Sequence, residues 1–202
     1  MRVRTEEKRQ DIIRIAAKLF EELGYERTSM SMIASRVGGS KATLYAYFPS
    51  KEELLRAVLD HDVNAEADRL MHEFLSEKDL RSGLVRLGIS YLSRHHARAA
   101  SIRTVANQPI AEEFYTNVLR PAWQRLADRF AEMMKQGRLK FADPWTTAMH
   151  WKGLTEWDLL EKHLLTSPGA CDPSQVVSAA TAAADAFLKV YSPGPTSGEF
   201  AL

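Results

Sequence analysis

The chain has 202 residues, 45% of them hydrophobic and 26% charged, enough to enclose a core in one or two domains. No run approaches the roughly 18 continuous apolar residues of a membrane span, the charged opening MRVRTEEKRQD lacks a secretory apolar stretch, and the single Cys171 has no intrachain disulfide partner, so a cytoplasmic protein without membrane contact is expected. Net charge is only +1, but up to Lys51 there are 10 Lys and Arg against 6 Asp and Glu, and 17 against 20 beyond it, so positive potential gathers at the N-terminal end.

Ile12, Ala16, Leu19, Phe20 and Leu23 recur at steps of three and four, which predicts a helix over about 5–23, ended by Gly24. A short helix is expected over about 30–37, followed by a tight turn at Gly38-Gly39 and a third helix from Ser40 to about Phe48, stopped by Pro49. Ser50 and Glu53 form a capping box for a long fourth helix toward Leu75. Asp79 caps the next, with Leu80, Leu84, Leu87 and Tyr91 as its buried face. Pro109 and Pro121 punctuate the middle of the chain, and a helix is expected from near Pro121 to Gly137. Asp143-Pro144 and Asp172-Pro173 each place a capping carboxylate before a proline, opening helices over about 144–165 and 173–191. With no sustained strand alternation, the expected fold is all-α with about nine helices: a three-helix head over 1–52, a helical bundle over 53–191 and a tail over 192–202, whose SPGPTSGEFAL composition is that of a flexible segment.

Residues 30–47 meet the requirements of a helix-turn-helix. Ala34 is small where two helices must touch, Gly38 permits a left-handed turn, and Leu44 points back into the unit, with Ile33 and Val37 completing its core. With Leu44 inward, Ser40, Lys41, Ala42, Thr43, Tyr45 and Tyr47 share or flank the outer side of the third helix, the element that enters a DNA major groove in such units. Lysine and hydroxyl groups suit base acceptors and phosphates, and Ala42 or the Thr43 methyl suits a thymine methyl. Thr28 and Ser29 open the preceding helix and Lys51 the following one, where helix N-termini and short hydroxyls suit phosphate oxygens. The rings of Tyr45 and Tyr47 have a second reading, as packing between the third and fourth helices. The basic arm Arg2, Arg4, Lys8 and Arg9 is either a further groove contact or simply a solvated end.

These residues carry a family resemblance. The run IIRIAAKLFEELGYERTSMSMIASRVGGSKATLYAYFPSKEELLRAV resembles the DNA-binding domain of TetR-family repressors through A-x-x-L-F, G-Y-x-x-T-S, G-x-S-x-x-T-L-Y-x-Y-F and S-K-E-x-L. The resemblance implies phosphate contacts at Thr28 and Lys51 and a recognition helix carrying Ser40, Lys41, Thr43, Tyr45 and Tyr47. Gly39 departs from the pattern, since an apolar residue, commonly valine, stands there in the family. LRPAWQRLADRFAEMMKQGRLKFADP and the long helix after it look like an AefR-type C-terminal domain. The family further implies a homodimeric regulator, a repressor released from a palindromic DNA operator by a small-molecule effector.

No G-x-S-x-G elbow, S-x-x-K, P-loop or dinucleotide glycine pattern is present, so no catalytic residue is assigned and a non-enzyme is expected. His95-His96 point in different directions on a helix, and His72-Glu73 lacks a second histidine four residues on, so no metal or cofactor is assigned. The aromatic residues of the second half read mainly as core, and Tyr91, Arg103, Phe114, Trp123 and Trp151 are the candidates for an apolar or aromatic effector. The alanine-rich last helix, VVSAATAAADAFLKVY, leaves a face for close packing, so the last two helices are expected to meet their two-fold mates in a dimer; an intrachain core is the alternative.

Overall fold

Thr5 accepts the amide N–H of Lys8 at 3.3 Å and thereby caps α1 (Glu6–Leu23). The computed structural model describes residues 5–94, 102, 104–106, 108–156, 159–166 and 172–193. Ser29 opens α2 (Met30–Val37) and Ser40 opens α3 (Lys41–Tyr47), each by the same side-chain cap. The hydroxyl of Ser50 accepts the amide of Glu53 at 3.1 Å at the start of α4 (Lys51–Leu75). Asp79 does so for α5 (Leu80–Ser93), accepting from Ser82 at 2.9 Å. Asp143 accepts from Thr146 at 2.7 Å before α7 (Pro144–Glu156), and Asp172 from Ser174 at 2.9 Å before α9 (Pro173–Tyr191). Between the last two lies α8 (Leu159–Thr166). The described chain is all-helical, as the sequence pattern predicts.

One boundary differs from expectation. The helix placed from Pro121 begins earlier: α6 runs Ala111–Phe114, passes through a π turn at Tyr115–Leu119 and continues as Arg120–Lys135. Proline has no N–H, and its ring collides with the carbonyl four residues back. A wider π turn immediately upstream shifts those carbonyls to longer-range partners, so the helix passes through the proline instead of starting at it. Gly137, at φ 69°, ends α6 in the left-handed conformation.

The chain divides into two compact units, one up to Ala65 with Thr104–Val118, the other Glu66–Arg103 with Leu119 onward. In the first, Ile12, Ile13 and Ala16 of α1 pack with Ile33 and Ala34 of α2, Leu44 of α3, and Leu54 and Val58 of α4. In the second, α5, α6, α7 and α9 enclose Leu84, Leu87, Phe130, Trp151 and Phe187. The α5–α9 packing is close because Gly88 has no side chain: a Cβ there would stand 2.8 Å from that of Ala180. Among the described residues, no helix is long and apolar enough to cross a membrane.

Candidate nucleic-acid interface

The turn between α2 and α3 is set by Gly38, whose φ of 70° lies in the left-handed region. The amide of Gly39 donates to Ala34 O at 3.1 Å, closing α2 and letting α3 leave at a steep angle. Leu44, 2% exposed, fixes the rotation of α3 about its axis. At about 100° per residue, Ala42 and Ala46 then point away from the core, and both are exposed. Lys41 and Tyr45, four residues apart, line one side of them, and Tyr45 is 47% exposed. The outer face of α3 is therefore a floor of two methyl groups with a cation and a phenol along one side. Small side chains let a helix backbone approach base edges closely, and methyl groups complement the thymine methyl.

The other predicted contacts also make bonds within the head. Ser40 Oγ accepts the Thr43 amide at 3.0 Å and lies 2.9 Å from the half-buried Thr43 hydroxyl, so this pair rigidifies the first turn of α3. Tyr47 packs its ring on the head core, and its hydroxyl accepts the Thr5 amide at 3.1 Å. Lys51 donates to the carbonyl of Tyr25 at 3.0 Å with its ammonium 4.1 Å from that ring's centroid, which anchors the cation where α4 begins. Ser29 is exposed at the start of α2.

Thr28 requires a correction. It is 1% exposed, and its hydroxyl donates to Gly24 O at 2.9 Å and Leu19 O at 3.2 Å. The side chain ties the end of α1 to the start of α2 and is not offered to a phosphate. Gly39 has no positive φ, and a Cβ there would make only ordinary contact with Thr43 at 3.9 Å. Its departure from valine thus gives up a contact without serving the turn.

Two contributors were not singled out from the sequence. Ala46 follows from helix phase once Leu44 is inward. Tyr25 supports Lys51; burial, with the Glu52 carboxylate nearby, pushes its phenol up from the ordinary 10 to about 12. Lys8, named in the basic arm, donates to Val37 O at 3.2 Å, placing a cation at the C-terminal end of α2.

In the second unit, Tyr91, Trp123 and Trp151 come together, with ring centroids 5.3 Å apart for Tyr91–Trp123, 5.9 Å for Tyr91–Trp151 and 6.4 Å for Trp123–Trp151. The hydroxyl of Tyr91 donates to the buried carboxylate of Glu156 at 2.5 Å, and Lys152 pairs with the other oxygen. Neither Lys152 nor Glu156 is evident as a site residue in the sequence, where both read as ordinary helix charges. Phe114 is buried in the first unit. Arg103, His95, His96 and Cys171 lie outside the described residues, as do Arg2 and Arg4 of the arm and the tail from residue 194. Among the described residues, no three His, Cys, Asp or Glu side chains are grouped to hold a metal ion.

Two family descriptions match the chain: bacterial regulatory proteins of the tetR family over residues 12–58, and the C-terminal domain of AefR-like transcriptional repressors over residues 84–193. The HTH-type transcriptional repressor ComR of Escherichia coli is 43% identical over 72 residues, 34% of this chain and 33% of that protein. The matches with the first curated relatives span only 23–35% of those proteins' length. Among solved structures, the flavonoid-responsive regulator FrrA is 31% identical, covers 95% of this chain and 100% of its own, and superposes with a TM-score of 0.68. A TetR-family regulator structure from Mesorhizobium loti, 24% identical with 95% and 100% coverage, shares the fold at a TM-score of 0.83.

Proposed function

Because the chain belongs to the TetR family of bacterial transcriptional regulators, we propose that it is a homodimeric repressor whose two α3 helices read a palindromic operator and which a small apolar or aromatic effector releases. It is a helix-turn-helix DNA-binding regulator and not an enzyme. The observation that supports the finer reading is the exposed face of α3, with Lys41, Ala42, Tyr45 and Ala46 turned outward by Gly38 and Leu44. Ser29 and Lys51 flank that face as phosphate ligands, and Tyr47 positions it.

Two-fold pairing through α7, α8 and α9 is supported by the large apolar side chains these helices leave exposed, Leu154 at 39%, Leu165 at 85% and Val177 at 48%. Pairing would set the spacing of the two α3 helices, and an effector that binds one spacing better than the other shifts the population away from DNA. FrrA's response to flavonoids supports an aromatic effector. The site of action is the cytoplasm, where the operator is.

Fluorescence anisotropy of labelled duplexes at several salt concentrations tests the reading. Affinity should fall by about 0.9 log units per log unit of salt for each phosphate neutralised. A sequence-selective complex with a steep slope supports it. Weak, salt-insensitive binding to every duplex overturns it, and leaves a helical ligand-binding protein whose head does not read DNA.

A further inference from the structure

Trp151 carries an unanswered polar group. The residue is 1% exposed, yet its indole N–H has no acceptor among the described residues. The neighbouring polar groups are already engaged: Thr155 donates its hydroxyl to Trp151 O at 2.8 Å, and Tyr91 donates to Glu156 at 2.5 Å. A buried donor without an acceptor is unfavourable and uncommon in folded proteins, and a ligand oxygen is one way to satisfy it.

The surroundings narrow the ligand's chemistry. The three rings of Tyr91, Trp123 and Trp151 favour a flat aromatic partner. Glu156, 8% exposed, is compensated by Lys152, so a ligand with net charge would leave one member of that pair unbalanced. Each carboxylate oxygen can accept more than one hydrogen bond, so Glu156 retains capacity for a ligand hydroxyl. Trp123 and Lys152 are half-buried, with the ammonium 5.8 Å from the ring centroid, and they form the side of the cluster that reaches solvent.

We propose that the Tyr91–Trp123–Trp151–Glu156 cluster binds a neutral, planar aromatic molecule whose carbonyl oxygen accepts the Trp151 indole N–H and whose hydroxyl donates to Glu156. The proposal rests on the effector-binding reading above and gives it a ligand class. A quaternary ammonium has no acceptor for the indole and would compete with Lys152 for the carboxylate.

Isothermal titration calorimetry of the full chain with 7-hydroxyflavone, flavone and phenyltrimethylammonium tests it. The hydroxylated ketone should bind saturably and about 10-fold more tightly than flavone, the difference one charge-assisted hydrogen bond makes. Trp151→Phe should weaken both flavones about 10-fold. Glu156→Gln should weaken 7-hydroxyflavone toward the flavone value and leave flavone unchanged. If Trp151→Phe does not fold, the wild-type ratio and Glu156→Gln decide. Absence of saturable flavone binding, tighter binding of phenyltrimethylammonium, or unchanged 7-hydroxyflavone affinity in a folded Trp151→Phe overturns the proposal. Operator binding by the ligand-free protein separates the two readings: DNA binding without flavone binding removes only this inference, whereas absent DNA binding removes the regulator reading whatever the flavones do.

Discussion

Replacing Thr28 by valine keeps the shape of the side chain and removes its hydroxyl. In the wild type that hydroxyl is 2.9 Å from Gly24 O and 3.2 Å from Leu19 O, inside a residue 1% exposed. A single O–H serves one acceptor well at a time, and the shorter bond, to Gly24, is the stronger. Losing one net hydrogen bond costs about 0.5–1.5 kcal/mol, and leaving a buried acceptor without its donor adds to it, so the head should lose about 1–2 kcal/mol. Leu19 lies within α1, where its carbonyl retains a helical partner, which keeps the cost from doubling. Urea unfolding read by circular dichroism gives the stability, and duplex anisotropy gives the affinity. Stability should fall while operator affinity stays within about twofold, because a loss of this size leaves nearly all of a typical domain folded. Unchanged stability with a loss of affinity of tenfold or so would refute the argument, and would mean that the hydroxyl turns out to meet a phosphate.

Leu44→Ala should destabilise the head by about 2–5 kcal/mol in the same urea measurement, since the residue is 2% exposed among Ile33, Ala34 and Leu54. A loss below about 1 kcal/mol would mean that α3 is not held by this side chain. Gly39→Ala should raise stability by about 0.4–1 kcal/mol, because the backbone φ is not positive and the added Cβ meets Thr43 at an ordinary 3.9 Å. A lower melting temperature would show that the turn needs the glycine. For Tyr25 the folded phenol titrates at about 12 against 10 ordinarily, so above pH 10 the unfolded chain loses its proton first. The stabilising contribution is complete below pH 10 and declines as pH rises to about 12. Tyr25→Phe should flatten that decline in stability-against-pH curves, and an unchanged slope would contradict the assignment.

The head was legible because its constraints are local. A left-handed turn demands Gly38, a close helix crossing demands Ala34, and the phase of a short helix follows from one inward residue, Leu44. The same phase rule yields Ala46 once it is applied to every position of α3. Thr28 was not legible in this way, since a hydroxyl at a helix start faces a ligand or the fold depending on where α1 ends. The early start of α6 was hidden because a proline ordinarily marks a first turn, and nothing in YTNVL announces a π turn. Lys152 and Glu156, four residues apart on α7, read as a solvated ion pair; only packing against α5 brings Tyr91 to the carboxylate. The indole of Trp151 was recognisable as a buried ring, but the missing acceptor is a tertiary fact.

Selection of duplexes from a random pool by the purified protein, followed by sequencing, tests the central claim most directly. The enriched sequences should contain two inverted half-sites separated by a whole number of helical turns, about 10–10.5 base pairs each. Lys41→Ala should weaken binding to them while leaving the melting temperature nearly unchanged, because its side chain is exposed on α3. A pool that shows no enrichment, or a Lys41→Ala protein that binds the selected duplex as tightly as the wild type, would contradict the assignment of α3 as the reading helix.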